Sequence, residues 1–232
     1  MGINYQRLYV YRLSGVDQAL RQAVWAEIAV YLRGNTRWPA RVLDAGAGRC
    51  EFINAVPAAE RWAVDIRGCE EYRHRGVRAV PGGIADAELP RGYFDGVFVS
   101  NVLEHLPSQD AVGAALARLG ESLAVGGRIA VMGPNFRYCA RAYFDCADHT
   151  LALTHVAVAV AEHLYAAGFD VTEVIARFLP YSFRGRLPTS PWLTRTYLRW
   201  PLLWRVVGKQ FLILGPKPGQ APRQFSRASS PR

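Results

Sequence analysis

Acidic residues are missing from the C-terminal quarter of this chain. None follows Glu173, whereas Arg177, Arg184, Arg186, Arg195, Arg199, Arg205, Lys209, Lys217, Arg223, Arg227 and Arg232 do. Of the 28 Lys and Arg residues, 17 therefore face all 19 Asp and Glu in residues 1–176, and the formal net charge of +9 comes from the C-terminal region alone. The positive charge is a local field, not a global property. Cysteine is scarce as well: Cys50, Cys69, Cys139 and Cys146 form no CxxC pair, so no disulfide framework is expected. Met1 to Leu13 lacks the apolar segment of a secretory signal, and a reducing cytoplasmic setting is expected. Long apolar runs are absent too. Leu151 to Phe169 is interrupted by His155, Glu162 and His163 and reads as a helix packed on a soluble core, not as a membrane span. No internal repeat is visible. With 232 residues, half of them hydrophobic, the chain can bury one sizeable core and reads as one elaborated domain.

What is present is concentrated in Val42-Leu43-Asp44-Ala45-Gly46-Ala47-Gly48-Arg49. Val42, Leu43 and Ala45 suit a strand covered on both faces, and Gly46 and Gly48 allow positive φ and let a ligand approach bare backbone. A second apolar run, Trp62-Ala63-Val64, ends in Asp65, which places a carboxylate beside the turn where it can accept hydrogen bonds from two ribose hydroxyls.

Ahead of the turn, Leu20, Val24, Ile28, Tyr31 and Leu32 recur at helical spacing over Val16 to Arg33, with Gly34 as C-cap. Beyond it the pattern predicts strand 41–45, a helix from Gly48 to Ala55, strand 61–65, a short helix near Cys69 and a weak strand from Val77 to Val80. A loop from Gly82 to Gly92, strand Phe94 to Ser100, a helix from Ser108 to Leu123, a Gly126-Gly127 turn and strand Arg128 to Met132 follow. Gly133 to Thr154 interrupts this alternation before a helix from His155 to Ala167 and a strand from Asp170 to Ile175, and a loop that long usually has a job. The expected division is an N-terminal helical extension (1–39), a core (40–176), a basic aromatic insertion (177–209), a last strand (210–215) and a disordered tail (216–232). Parallel strands joined by right-handed helical crossovers satisfy the order.

The turn discriminates between cofactors. A dinucleotide fold favours G-x-G-x-x-G/A, but Glu51 occupies the third small position, and Asp44 also sits badly for a pyrophosphate. A positively charged cofactor without phosphates suits both carboxylates. At this point the residues resemble a known family. Asp44-Ala45-Gly46-Ala47-Gly48 is similar to the first motif of class I S-adenosylmethionine-dependent methyltransferases, and Asp65 to the acid ending their second strand. Ala85-Asp86-Ala87-Glu88-Leu89-Pro90, Phe94-Asp95-Gly96-Val97-Phe98-Val99-Ser100-Asn101-Val102-Leu103-Glu104-His105-Leu106 and Leu123-Ala124-Val125-Gly126-Gly127-Arg128 follow in the family's order. Cys50 departs from the pattern, since many members have a third glycine there.

The resemblance implies a Rossmann-like α/β fold, a doubly wound, mostly parallel seven-stranded sheet with helices on both faces, and S-adenosylmethionine as cofactor. It implies that Asp44 and the backbone at Gly46 and Gly48 hold the methionine part, that Asp65 takes the ribose hydroxyls, that Ile66 after it also lines the cofactor site, and that Asp86 accepts from the adenine amino group. Asn101 and Val102 fall at the carboxyl end of the fourth strand, where the crevice of such a sheet opens. Asp44 has a plainer reading as a carboxylate that ties the turn together, and Asp95 reads as a strand-start carboxylate bonding to backbone.

Methyl transfer needs a base only when the nucleophile arrives protonated. The candidates are His105, just beyond the fourth strand, and His149 and His155, in or beside the long segment after the fifth, with His149 in Asp145-Cys146-Ala147-Asp148-His149-Thr150 the best placed. Asp148 and His149 equally suit a pin for the loop, and Glu104 suits ordering of the helix that follows. His74 and His163 read as surface residues of helices. Cys139, Cys146, His149 and His155 do not have a usual zinc spacing, and no metal site is expected.

Pro191 to Arg205 interleaves Trp192, Tyr197, Trp200 and Trp204 with Arg195, Arg199 and Arg205. Core packing, an interfacial element on an anionic membrane, a cover for an acidic acceptor and a nucleic-acid surface all remain open. Phe178 to Lys209 resembles, less specifically, a tail of bacterial methyltransferases associated with cell-surface sugar metabolism. The expected function is methyl transfer to an O or N atom of an anionic small-molecule, glycan or lipid-linked acceptor, in the cytoplasm or peripheral to the inner membrane. The competing readings are a non-catalytic membrane- or nucleic-acid-binding module on this fold and an NAD(P)-dependent oxidoreductase.

Overall fold

A computed structural model describes residues 17–36, 38, 40–139, 153, 155–180 and 190–219. Its elements are α1 (Gln18–Thr36), β1 (Arg41–Ala45), α2 (Glu51–Ala55), β2 (Glu60–Asp65), β3 (Val77–Pro81), β4 (Phe94–Ser100), a 3-10 turn (Leu103–His105), α3 (Gln109–Ser122) and β5 (Leu123–Pro134), followed by α4 (Ala157–Ala166), β6 (Glu173–Ile175), α5 (Pro191–Arg199), α6 (Pro201–Val207) and β7 (Gln210–Pro216). The strands form one seven-stranded sheet in the order β3-β2-β1-β4-β5-β7-β6. Pairing is parallel from β3 through β5, and β7 runs antiparallel to both β5 and β6.

Alternation along the strands sends successive side chains to opposite faces and so builds two apolar layers. On one face Val42, Phe98, Ala130, Met132, Leu212 and Leu214 meet α1, α2, α5 and α6 through residues such as Trp25, Ile28, Phe52, Leu198 and Trp204. On the other, Leu43, Val97, Val99, Ile129, Val131 and Ile213 meet Val112, Leu116 and Leu119 of α3 and Val160 and Leu164 of α4. Helices on both faces of a mostly parallel sheet are the doubly wound arrangement expected from the alternating pattern.

Several boundaries moved for identifiable reasons. Gly34 does not cap α1, which runs on to Thr36, where the hydroxyl donates to the Leu32 carbonyl at 2.7 Å. No helix is sustained near Cys69: after Gly68, at φ 81°, a single turn closes, with the Arg73 N–H on the Cys69 carbonyl at 2.9 Å. The Gly126-Gly127 pair lies inside β5, where the β4 register shifts between Phe94 and Gly96, so the glycines mark an irregularity in a longer strand. The helix expected from Ser108 begins at Gln109, with Ser108 as its cap, the hydroxyl accepting from the Ala111 N–H at 3.1 Å. The Gly133 to Thr154 interruption starts late, since β5 reaches Pro134 and residues 136–139 are helical. Most of its remainder, and the tail beyond Gly219, lies outside the described residues.

Candidate functional site

β1 delivers Asp44 and then turns sharply. Gly46 adopts φ 88° and Gly48 φ 54°, and the N–H groups of Gly46 and Ala47 both donate to the Val64 carbonyl at 2.8 and 2.9 Å. This fastens the turn to the end of β2. Gly48 N–H then donates to Asp65 Oδ2 at 2.8 Å, while Asp65 Oδ1 accepts from the Arg67 N–H at 3.0 Å and from its guanidinium Nε at 3.2 Å. A carboxylate has about four lone-pair sites, so Asp65 is oriented by these bonds yet keeps acceptor capacity for a ligand. Beside it, Ile66 is 82% exposed, an apolar side chain set in solvent at the carboxyl edge of the sheet.

A side chain at Gly46 is sterically barred. A Cβ there would lie 2.0 Å from Val102 Cγ2, so the missing side chain lets the segment after β4 close on the turn. Asn101, one residue earlier, holds a left-handed φ of 52°, with its N–H on the Met132 carbonyl and its Nδ2 on Ser100 Oγ. Gly46, Gly48, Asp65 and Val102 are thus brought together, with Asp44 buried beneath them. Cys50 carries the same backbone signature in place of glycine: it is fully buried at φ 59° and precedes α2. The sequence departure from a third glycine is therefore a side chain held in the left-handed region, at a cost of order 1 kcal/mol.

Electrostatically this corner is acidic. Burial pushes the Asp44 carboxyl well above the usual carboxylate range, with Cys69, Glu51 and Asp65 adding to the rise and a backbone bond from Ile53 opposing it. Bringing a cation near would offset that cost; bringing a phosphate near would deepen it. Glu51 has a different role from the one its position suggests: it is buried, and its carboxylate accepts from Arg21 Nε of α1, while its carbonyl accepts from Gln22. The charge set against a pyrophosphate in the sequence reading is thus already paired, and Asp44 carries that discrimination.

Among known proteins, no protein-family profile matches the chain. It is 41% identical over 118 residues to the aklanonic acid methyltransferase DauC of a Streptomyces species, an alignment covering 42% of this chain and 49% of the relative. It is 36% identical over 139 residues, 54% of the chain, to 2% of the nonribosomal peptide synthetase CymA of Salinispora arenicola. This chain therefore spans about half, or far less, of the curated relatives it matches. In structure, an S-adenosylmethionine-dependent methyltransferase of Thermotoga maritima superposes with a TM-score of 0.63 at 16% identity, over 90% of this chain and 98% of that one. The fold is that of the class I methyltransferases.

In the methyltransferase fold the remaining residues fall into place unevenly. Asp86 follows β3 at the same sheet edge but is exposed, and its Oδ1 accepts from the Gly83 N–H at 2.7 Å to close a small turn. Asp95 is structural: its oxygens accept from the Arg41 backbone N–H and guanidinium at 2.9 to 3.3 Å, and although burial works the other way, these bonds and the Arg41 charge hold its pKa below the usual carboxylate range. His105 is exposed at the end of the 3-10 turn, with its backbone N–H on the Val102 carbonyl. His149 lies outside the described residues, as do Asp145, Cys146 and Asp148. Glu104 is buried, and its carbonyl accepts from Leu153. His74 sits in a turn, not on a helix, whereas His163 lies on α4 with Nδ1 on the Ala159 carbonyl.

The third candidate from the sequence is His155. It is buried where the segments after β4 and β5 meet: its carbonyl accepts from Phe136, its ring hydrogen-bonds the Leu103 backbone, and Nε2 has no partner among the described residues. Burial pushes it below the ordinary histidine range. Nothing local in the sequence separates it from His149. Only the pairing of Phe136 with His155 across the interruption does, and that is a tertiary contact.

Proposed function

We propose that this protein is an S-adenosylmethionine-dependent methyltransferase that methylates an O or N atom of a small-molecule, glycan or lipid-linked acceptor of negative charge. The observation carrying this reading is the Asp44 carboxylate, buried among other acids under the bare backbone of Gly46 and Gly48. The likeness to a methyltransferase named for aklanonic acid supports both the chemistry and an acidic acceptor. The basic segment from Phe178 to Lys209, with its resemblance to methyltransferases of cell-surface sugar metabolism, supports a glycan or lipid-linked one.

In this reading Asp44 and the turn backbone take the cationic amino-acid end of the cofactor, and Asp65 accepts from the ribose hydroxyls. Ile66 lies against the adenine face, and Asp86 accepts from its amino group. When bound, the cofactor supplies a sulfonium-activated methyl group, so that a carbon–sulfur bond breaks as the carbon–oxygen or carbon–nitrogen bond forms. Asn101 and Val102 wall the crevice and exclude water, which leaves the protein mainly the task of alignment. A hydroxyl acceptor must also lose its proton. His155, at the meeting of the β4 and β5 segments, is biased by burial toward its neutral form, has no Nε2 partner among the described residues, and stands with His149 and His105 as a candidate acceptor-side base.

Calorimetry on the full chain tests the reading. One-site binding of S-adenosylmethionine and S-adenosylhomocysteine, with no heat from NADH, is the expected result. A folded protein that takes up neither S-adenosyl compound at millimolar concentration overturns it, and NADH binding in their place points to the oxidoreductase.

A further inference from the structure

The basic aromatic segment divides into two sides. Its inner side is anchored: Leu198 and Trp204 are buried, Tyr197 donates to the Phe178 carbonyl at 2.5 Å, Trp204 Nε1 donates to the Tyr197 carbonyl at 2.9 Å, and Trp204 meets Tyr31 of α1 edge to face. Arg195 clamps Glu27 of α1 with two bonds of 2.8 and 2.6 Å. Gly208 leaves no room for a side chain, since a Cβ would lie 2.7 Å from the Arg177 backbone and from the Trp204 carbonyl. The helix pair is therefore a fixed platform.

Its outer side is apolar and cationic. Trp192 is 68% exposed, Trp200 60%, Leu202 68% and Val206 74%; Arg199 and Arg205 are exposed on the same two helices, Arg199 also within electrostatic range of Glu27 on α1. Leu202 and Val206 are four apart on α6 and share a face. We propose that this outer side of α5 and α6 seats the protein on an anionic membrane surface, with the two tryptophans and the aliphatic residues entering the headgroup boundary and the arginines meeting lipid phosphates.

Charge and side-chain type select this occupant. A second copy of the chain would oppose Arg199 and Arg205 to their own counterparts, on a segment with no acidic residue. The undescribed parts of the chain contain only two acids, Asp145 and Asp148, so no internal segment complements the face. Single-stranded nucleic acid also takes tryptophan and arginine, but aliphatic Leu202 and Val206 gain from hydrocarbon, not from base stacking. Trp rings with a polar edge suit the interface, and arginine stems lie along apolar surface while their heads reach phosphate.

Flotation of the full chain with vesicles of phosphatidylcholine alone, or with phosphatidylglycerol added, tests the proposal, and a single-stranded oligonucleotide serves as competitor. Binding to the anionic vesicles only, weakened by salt, is expected. Trp192→Ser with Trp200→Ser should lower partitioning about tenfold, and Arg199→Gln with Arg205→Gln about thirtyfold, from roughly 1 kcal/mol per cation near an anionic surface. Circular dichroism and the thermal shift with S-adenosylmethionine check that the variants fold and keep the cofactor site. Equal flotation with neutral vesicles, unchanged binding of both double variants, or oligonucleotide binding without vesicle binding overturns the proposal. Loss of cofactor binding with vesicle binding intact would instead remove the methyltransferase reading alone.

Discussion

The glycine turn and the α5–α6 pair are both unusual in composition, yet they yield to inference differently. The turn's function rests on backbone: only glycine tolerates the approach of Val102 at Gly46, and the acids around it have few alternatives. The α5–α6 pair rests on side chains that serve equally well inside or outside. Trp204, Tyr197 and Leu198 turn inward, while Trp192 and Trp200, of the same chemistry and a few residues away, turn outward. A steric requirement is written at single positions, whereas the direction a tryptophan faces is set by what packs behind it.

Substitutions can break that contrast or sharpen it. Trp204→Ala removes a buried ring packed on Tyr31 and Phe178 and should cost about 3–5 kcal/mol in urea unfolding; a loss below 1 kcal/mol would mean that the inner side is not core. Gly46→Ala combines a positive φ with the Val102 clash and should cost about 2–4 kcal/mol while abolishing cofactor binding, as read by calorimetry. Asp65→Ala frees the Gly48 N–H and removes the proposed ribose acceptor. It should weaken S-adenosylmethionine by about 1.5–3 kcal/mol, roughly ten- to more than hundredfold; unchanged affinity would place the ribose elsewhere.

Asp44→Asn should act in opposite directions on stability and binding. Because its folded-state carboxyl is raised, the native state holds its proton more tightly than the unfolded chain, so the wild type loses stability as pH rises from the ordinary carboxylate value through the raised one. The variant should lack this loss, melt higher than the wild type at neutral pH without ligand, by about 1 kcal/mol, and lose cofactor binding. An unliganded Asn variant that is less stable at pH 7 would mean that the carboxylate ties the turn together. The smallest effect belongs to Trp200→Ser, which should shift unfolding by no more than about 0.5 kcal/mol.

The same contrast explains what was legible. β1 and β4 fell where their apolar runs ended; alternation pointed to parallel strands with helical crossovers, and the family resemblance to the seven-stranded doubly wound sheet that is found. Less visible was anything decided by distant partners: the length of β5, extended by its pairing with β7; the pairing of Glu51 with Arg21; and the placing of His155 against Leu103. Cys50 shows the limit from the other side. The sequence marks it as a departure from glycine, but only the backbone shows that it keeps the left-handed conformation a glycine would have.

The central claim, that the turn from Asp44 to Glu51 holds a methyl donor, is tested most directly by hydrogen exchange of the full chain with and without S-adenosylmethionine. The account predicts slowed exchange in peptides covering 44–51 and 65–67, together with 101–102. Saturating binding that leaves those peptides unchanged and protects another part of the chain would contradict it.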